Sequence, residues 1–245
     1  MNAIVLAAGV GRRLAPLTDT THKCLLEVGG RPLLARMLDA LAAVGVEETA
    51  LVVGHRAEQV RAAAEAAAGT LRVQYVANPD YTRGSLLSLL AARHFIAGPT
   101  LVMDADVLFA REILARLVRS PEPTALLTDR GFTDTGEEQK AYALGDRVVT
   151  LSKKIVPDRW DTVGESVGFF KFGPADAPAL VRMLADVASD GTGLEEYEDA
   201  IHRLAQQRRV GWVDVTGLPW TEIDFVEDLR RAEAEVLPLV VRRDD

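Results

Sequence analysis

The 245-residue chain predicts an α/β fold, a three-layer, mostly parallel sheet with helices on both faces, continued by a β-hairpin-rich region. Three observations predict it. Apolar runs of strand length alternate with helical patterns through the first half, the mark of a parallel sheet with crossover helices. Hydrophobic residues make up 48% of the chain, enough to cover both faces of such a sheet. After about residue 123 the pattern changes to closely spaced strands with short turns. No low-complexity linker and no internal repeat breaks 1–245, so we read one domain with two halves, 1–122 and 123–245.

The elements follow in order. Ala3 to Ala7 is uninterrupted apolar chain and reads as a strand buried on both faces. Pro32 to Val44 reads as a helix because Leu34, Met37, Leu38 and Leu41 fall on one face. Thr49 to Val53 is a second strand, Ala57 to Ala68 an alanine-rich helix, and Leu71 to Val76 an alternating strand. Gly84 to Phe95 reads as a helix, Thr100 to Met103 as a short buried strand and Glu112 to Val118 as a helix. Strands are then expected at Thr124 to Thr128, Ala141 to Leu144, Arg147 to Ser152 and Ser166 to Phe172, paired as hairpins. Helices at Ala175 to Ala188 and Leu194 to Gln207, a strand at Val210 to Val215 and a helix from Phe225 to about Val236 complete the chain.

Composition narrows the function. A net charge of −8 and a pI near 5.1 disfavour duplex nucleic acid as a partner. Cys24 is the only cysteine, so no intrachain disulfide forms and a reducing cytoplasm is expected. No apolar run approaches the roughly 20 residues of a membrane span, and the apolar start lacks a basic region before it. Four scattered histidines do not make a structural zinc site.

The densest signal is the amino terminus. A buried strand runs into Ala7-Ala8-Gly9-Val10-Gly11-Arg12-Arg13-Leu14-Ala15-Pro16-Leu17-Thr18, followed by Lys23. Glycines let backbone N–H groups approach anionic oxygens, arginine forks onto phosphate, and lysine adds a mobile point charge. The order suits a polyphosphate. Two familiar phosphate loops are excluded: Leu14 stands where a dinucleotide fingerprint needs its third small residue, and no Gly-Lys-Ser/Thr triplet is present. The string does resemble the signature of nucleotide-sugar pyrophosphorylases and the wider nucleoside-triphosphate transferase superfamily.

Two acidic segments extend the pattern. In Leu101-Val102-Met103-Asp104-Ala105-Asp106 an apolar strand ends on two carboxylates, hard oxygen donors of the kind Mg²⁺ takes; the bland alternative is a turn or helix cap. The segment Thr221-Glu222-Ile223-Asp224-Phe225-Val226-Glu227-Asp228 resembles the superfamily's closing segment, whose Asp is the second metal ligand. The resemblance thus implies Mg²⁺ on Asp106 and Asp224. Read alone, Asp224 is also a good N-cap with Glu227 as its partner.

Further matches resemble the phosphocholine, inositol-1-phosphate and phosphonate cytidylyltransferase branch. They are Asn78-Pro79-Asp80-Tyr81, Gly84-Ser85-Leu86-Leu87-Ser88, Glu165-Ser166-Val167-Gly168 and Tyr197-Glu198-Asp199-Ala200. The branch implies a nucleotide, CTP before others, in 1–122, against Leu6, Ala7, Ala8, Gly9, Gly11, Arg13, Lys23, Asn78, Gly84, Ser85, Ser88 and Asp104. It implies a small phosphorylated or phosphonylated acceptor in 123–245, against Lys140, Lys153, Glu165, Tyr197, Glu198 and Asp199. Arg13, Lys23 and Lys153 would be the catalytic cations. Read as plain chemistry, Glu195 to Asp199 is equally a solvated helix start. Aromatic content is only 6%, which does not favour a cage for a quaternary ammonium; polyol hydroxyls or a primary ammonium suit Glu165, Glu198 and Asp199 better. His22 and Cys24 flank Lys23 where many relatives carry proline. Alternatives are a sugar-1-phosphate nucleotidyltransferase using UTP, dTTP or GTP, and a non-catalytic nucleotide sensor. A homodimer is left open.

Overall fold

The structure is a computed structural model that describes residues 1–191 and 195–244. Strand β1 (Asn2–Ala7) leads through two short 3₁₀ turns into a third at Lys23–Leu25 and the small ribbon β2 (Glu27–Val28) and β3 (Arg31–Pro32). Next come α1 (Leu33–Ala43), β4 (Glu48–Val53), α2 (Ala57–Ala67), β5 (Arg72–Ala77) and α3 (Leu86–Ala91). Strands β6 (Thr100–Asp104) and β7 (Val107–Phe109) precede α4 (Arg111–Arg119). The second half holds β8 (Ala125–Asp129), β9 (Lys140–Leu144), β10 (Arg147–Ser152), β11 (Thr162–Phe172), α5 (Ala177–Asp190) and α6 (Tyr197–Gln207). Strands β12 (Gly211–Asp214) and β13 (Trp220–Glu222) follow, then α7 (Val226–Arg231), a π-helical turn at Ala232–Val236 and α8 (Leu237–Asp244).

Among the described residues, nine strands form one sheet in the order β10-β9-β11-β6-β1-β4-β5, with β8 on β11 and β12 on β8. Strands β6, β1, β4 and β5 are mutually parallel. Strand β11 enters antiparallel to β6, β8 and β9, so only β10 and β11 run against the common direction. Alternation along β1 assigns the layers. Ala3, Val5 and Ala7 pack against α1, α2 and α4, through Met37, Leu41, Val60, Ile113 and Leu117. Ile4 faces α3, α5 and α6, through Leu86, Leu89, Leu180, Leu184 and Ile201. Each such side chain taken fully out of water contributes roughly 1.5–3 kcal/mol, which explains why an almost purely apolar β1 lies at the centre.

Boundaries differ from expectation in instructive ways. The helix expected from Gly84 to Phe95 is only α3, followed by a 3₁₀ turn at Arg93–Phe95. Of the expected hairpins, β9–β10 is one, turning at Gly145 with φ 61°. Strand β8 does not join it, because β11 lies between them and pairs with both. The expected start of α6 at Leu194 lies outside the described residues. The last helix continues beyond Val236, with Ala232 and Val240 packed on Leu14, Leu108 and Ile223.

Candidate active site

A cleft of about 1020 Å³ opens at the carboxyl ends of the parallel strands, where open α/β sheets take their ligands. Three chain segments far apart in sequence meet there. Lys23 comes from the loop after β1, with its stem against Gly11, whose φ is 67°. A Cβ on Gly11 would stand 3.1 Å from Lys23 Cβ, so the loop needs glycine to let the lysine cross it. Asp106 sits in the turn between β6 and β7. Asp224 follows β13, which pairs antiparallel with β7 and thereby carries Glu222 and Asp224 to Asp106. The Ile223 N–H donates to the Asp106 carbonyl at 3.1 Å and locks the register.

Lys23 Nζ donates to Asp106 Oδ2 at 2.7 Å and to Asp224 Oδ1 at 2.5 Å. One Arg13 guanidinium nitrogen donates to Asp224 Oδ2, the other terminal nitrogen lies 4.0 Å from Glu137, and the group sits 4.9 Å over the Phe225 ring. Burial opposes the Lys23 charge, but Asp106, Asp224 and Glu222 outweigh it and raise its pKa. Asp224 is held below the ordinary carboxylate range: burial pushes it up, and Lys23 and Arg13 more than reverse that. Glu222, which the sequence reading did not single out, is raised to about 8 by packed surroundings and by Asp106 and Asp224. Oxygen atoms of Asp106, Glu222 and Asp224 all lie within 4.8 Å of one another, and Asp106 Oδ1 is buried without a hydrogen-bond partner. Three carboxylates, one with an orphaned oxygen, fit a hard divalent cation. The capping alternative for Asp224 is not what forms. Asp228, not Glu227, closes the start of α7 by accepting from the Asp224 and Phe225 N–H groups at 3.0 and 2.8 Å.

The far wall of the cleft is acidic. Asp104, at the end of β6, accepts from Tyr197 Oη at 2.6 Å, and its pKa is raised by burial and by Glu198. Gly168 makes room: a Cβ there would stand 2.5 Å from Asp104 Oδ2, and its φ is 78°. Glu198 is pushed up to about 8 by burial and by Glu196 and Asp199. Glu165 is pushed up to about 7 by burial, Glu138 and Asp129. Lys153 lines this wall with Ser152 and Lys154 and has no ion-pair partner within 4.0 Å among the described residues.

The cleft gathers Arg13, Lys23, Ser85, Asp104, Asp106, Lys153, Glu165, Tyr197, Glu198, Asp199 and Asp224. Other expected site residues stand apart from its lining. Lys140 is buried and its ammonium binds both Asp134 oxygens, at 3.0 and 2.9 Å. Asn78 donates to Ser88 Oγ on α3 at 3.0 Å, and both are buried. Leu6, Ala7, Ala8, Gly9, Gly11 and Gly84 contribute backbone around β1 and the start of α3. Asp199 closes the start of α6 by accepting from the Glu196 N–H at 3.2 Å, so the helix-start reading holds for that residue. Ser85 Oγ bonds Glu196 and accepts from the Tyr197 N–H at 3.1 Å, tying α3 to α6.

Residues 3–143 match the MobA-like NTP transferase domain. The chain is 32% identical over 97% of its length to the CMP-5'-(3-aminopropyl)phosphonate synthase of Streptomyces rubellomurinus, covering 39% of that protein. It is 36% identical, again over 97%, to the bifunctional IPC transferase and DIPP synthase of Rubrobacter xylanophilus, covering 52%. It therefore spans about half or less of these two relatives. The inositol-1-phosphate CTP transferase of T. maritima superposes with a TM-score of 0.78 at 20% identity, covering 100% of this chain and 96% of that one. The chain belongs to the MobA-like NTP transferase domain family.

Proposed function

We propose that this domain is a Mg²⁺-dependent cytidylyltransferase that joins CTP to a small phosphorylated or phosphonylated acceptor and releases pyrophosphate. The observation that carries this reading is the meeting of Lys23 and Arg13 with Asp106 and Asp224 in one cleft. CTP is chosen because the names of two similar proteins, the phosphonate synthase and the inositol-1-phosphate transferase, specify CMP or CTP.

The acceptor oxygen attacks the α-phosphorus of the nucleotide; the new P–O bond forms as the bond to the bridging oxygen breaks, and pyrophosphate carries that electron pair away. A phosphate monoester, with a second pKa of about 6, is largely a dianion near neutrality and needs no general base. The remaining barrier is repulsion and alignment of anions, which fixed cations reduce. Arg13 and the Gly9–Gly11 backbone would take the triphosphate, Lys23 the α-phosphate, and Lys153 the acceptor's phosphorus group. Asp106 and Asp224, with Glu222 beside them, would hold the metal. Bound there, Mg²⁺ supplies Lewis-acid charge and a template for the phosphates.

The acidic wall narrows the acceptor. Glu165 and Glu198 line the cleft together with Lys153, so an acceptor whose phosphorus group meets Lys153 and whose other end is a primary ammonium suits these carboxyls better than a hexose. A pyrophosphate-release screen tests this. It crosses CTP, UTP, dTTP and GTP with aminoalkyl and hydroxyalkyl phosphonates, phosphocholine, inositol phosphates and hexose 1-phosphates. The expected result is turnover with CTP and an aminoalkyl acceptor, lost in Asp106→Ala and Asp224→Ala proteins that remain folded. Release with no pair, or only with a hexose 1-phosphate and another nucleotide, overturns the reading.

A further inference from the structure

Three of the four carboxylate oxygens of the Asp106–Asp224 pair are already engaged by side-chain cations. Lys23 Nζ holds Asp106 Oδ2 at 2.7 Å and Asp224 Oδ1 at 2.5 Å, and Arg13 holds Asp224 Oδ2. Magnesium requires oxygens at about 2.0–2.1 Å. An ammonium at hydrogen-bond distance from those same oxygens therefore occupies the place and repels the incoming charge. The lysine's backbone is fixed: the Leu25 N–H donates to the His22 carbonyl at 2.8 Å, and the Leu26 N–H to the Lys23 carbonyl at 3.1 Å. Its stem lies along the glycine loop. It crosses Gly11, where a Cβ would meet Lys23 Cβ at 3.1 Å and Cδ at 3.5 Å. The ammonium is therefore tethered beside the Gly9–Gly11 loop, within a side chain's length of both the carboxylates and that loop.

We propose that Lys23 is an exchangeable counter-cation, holding the Asp106–Asp224 pair until a divalent ion takes it and then serving the triphosphate, so that metal and nucleotide binding are coupled. This rests on the function proposed above. Because coupling is reciprocal, the ion strengthens nucleotide binding by the factor with which nucleotide strengthens binding of the ion.

The test is nucleotide-free titration with Mn²⁺, with free ion read by electron paramagnetic resonance, on the whole chain and its Lys23→Met and Lys23→Gln variants. Removing the ammonium is expected to tighten Mn²⁺ binding about tenfold, within the usual range of coupling between two ligands. Equal or weaker binding by a folded variant overturns the exchange. If neither variant folds, amine-reactive labelling of Lys23 in the unaltered chain, followed by peptide mass mapping, decides. The labelling rate should rise when Mn²⁺ is added, and an unchanged rate overturns the exchange. Neither readout uses turnover. Cytidylyl transfer with an unaffected Mn²⁺ affinity would leave the proposed function and remove the exchange. Exchange without transfer to any acceptor would remove the function.

Discussion

Replacing Glu165 by Gln should change how stability depends on pH. In the folded chain, burial together with Glu138 and Asp129 raises this carboxyl from 4.5 to about 7. Between those values the unfolded chain has released the proton while the folded chain retains it. The unfolded state then binds fewer protons, so stability falls as pH rises. At 1.36 kcal/mol per pKa unit the ceiling is about 3 kcal/mol. Glu165 is only half-buried, and a high effective dielectric reduces that ceiling to about 1–2 kcal/mol. Urea unfolding at pH 5 and pH 8 measures it. Between these conditions the unaltered chain should lose about 1–2 kcal/mol more than Glu165→Gln. Parallel pH profiles, or a variant that loses more, would refute the assignment of Glu165 as a proton-retaining group on the acidic wall.

Lys23→Ala should lower kcat by about 10²–10³, the scale of removing one pre-placed donor to developing charge, with a smaller change in acceptor KM; an effect confined to acceptor KM would move Lys23 to the acceptor side. Gly168→Ala should destabilise the chain by about 2–4 kcal/mol, because it forces a left-handed φ of 78° on alanine and drives a methyl group to 2.5 Å from Asp104. An unfolding free energy within about 0.5 kcal/mol of the unaltered chain in urea titration would show that β11 yields locally.

The sequence announces local matters well and long-range ones poorly. Strand β1 was legible because burial on both faces leaves five apolar residues in a row, Ala3 to Ala7. The glycine-rich loop was legible because φ and close approach constrain residue type. Strands β7 and β13, three residues each, were not. So short a ribbon shows no period, and its pairing is set by where the sheet delivers its ends. Glu222 was hidden for the same reason: on β13 it is one more polar residue until pairing with β7 places it beside Asp106. Lys140 misled because a lysine at a strand end looks free, and its engagement by Asp134 depends on the loop before β9. The insertion of β11 between β6 and β9 is a choice among pairings that local pattern does not determine.

The β7–β13 ribbon has a consequence for how such a chain acquires competence during synthesis. The parallel strands and their helices lie upstream and can condense as soon as they leave the ribosome. The acidic pocket is finished only when Trp220–Glu222 zips onto Val107–Phe109, after the last strand of the large sheet has been made. A growing polypeptide therefore holds Lys23 and Asp106 well before Asp224 arrives, and the cluster closes only once β13 has docked. Premature termination just ahead of Trp220 would leave the Lys23–Asp106 pair without Glu222 and Asp224, the groups that one three-residue clasp delivers.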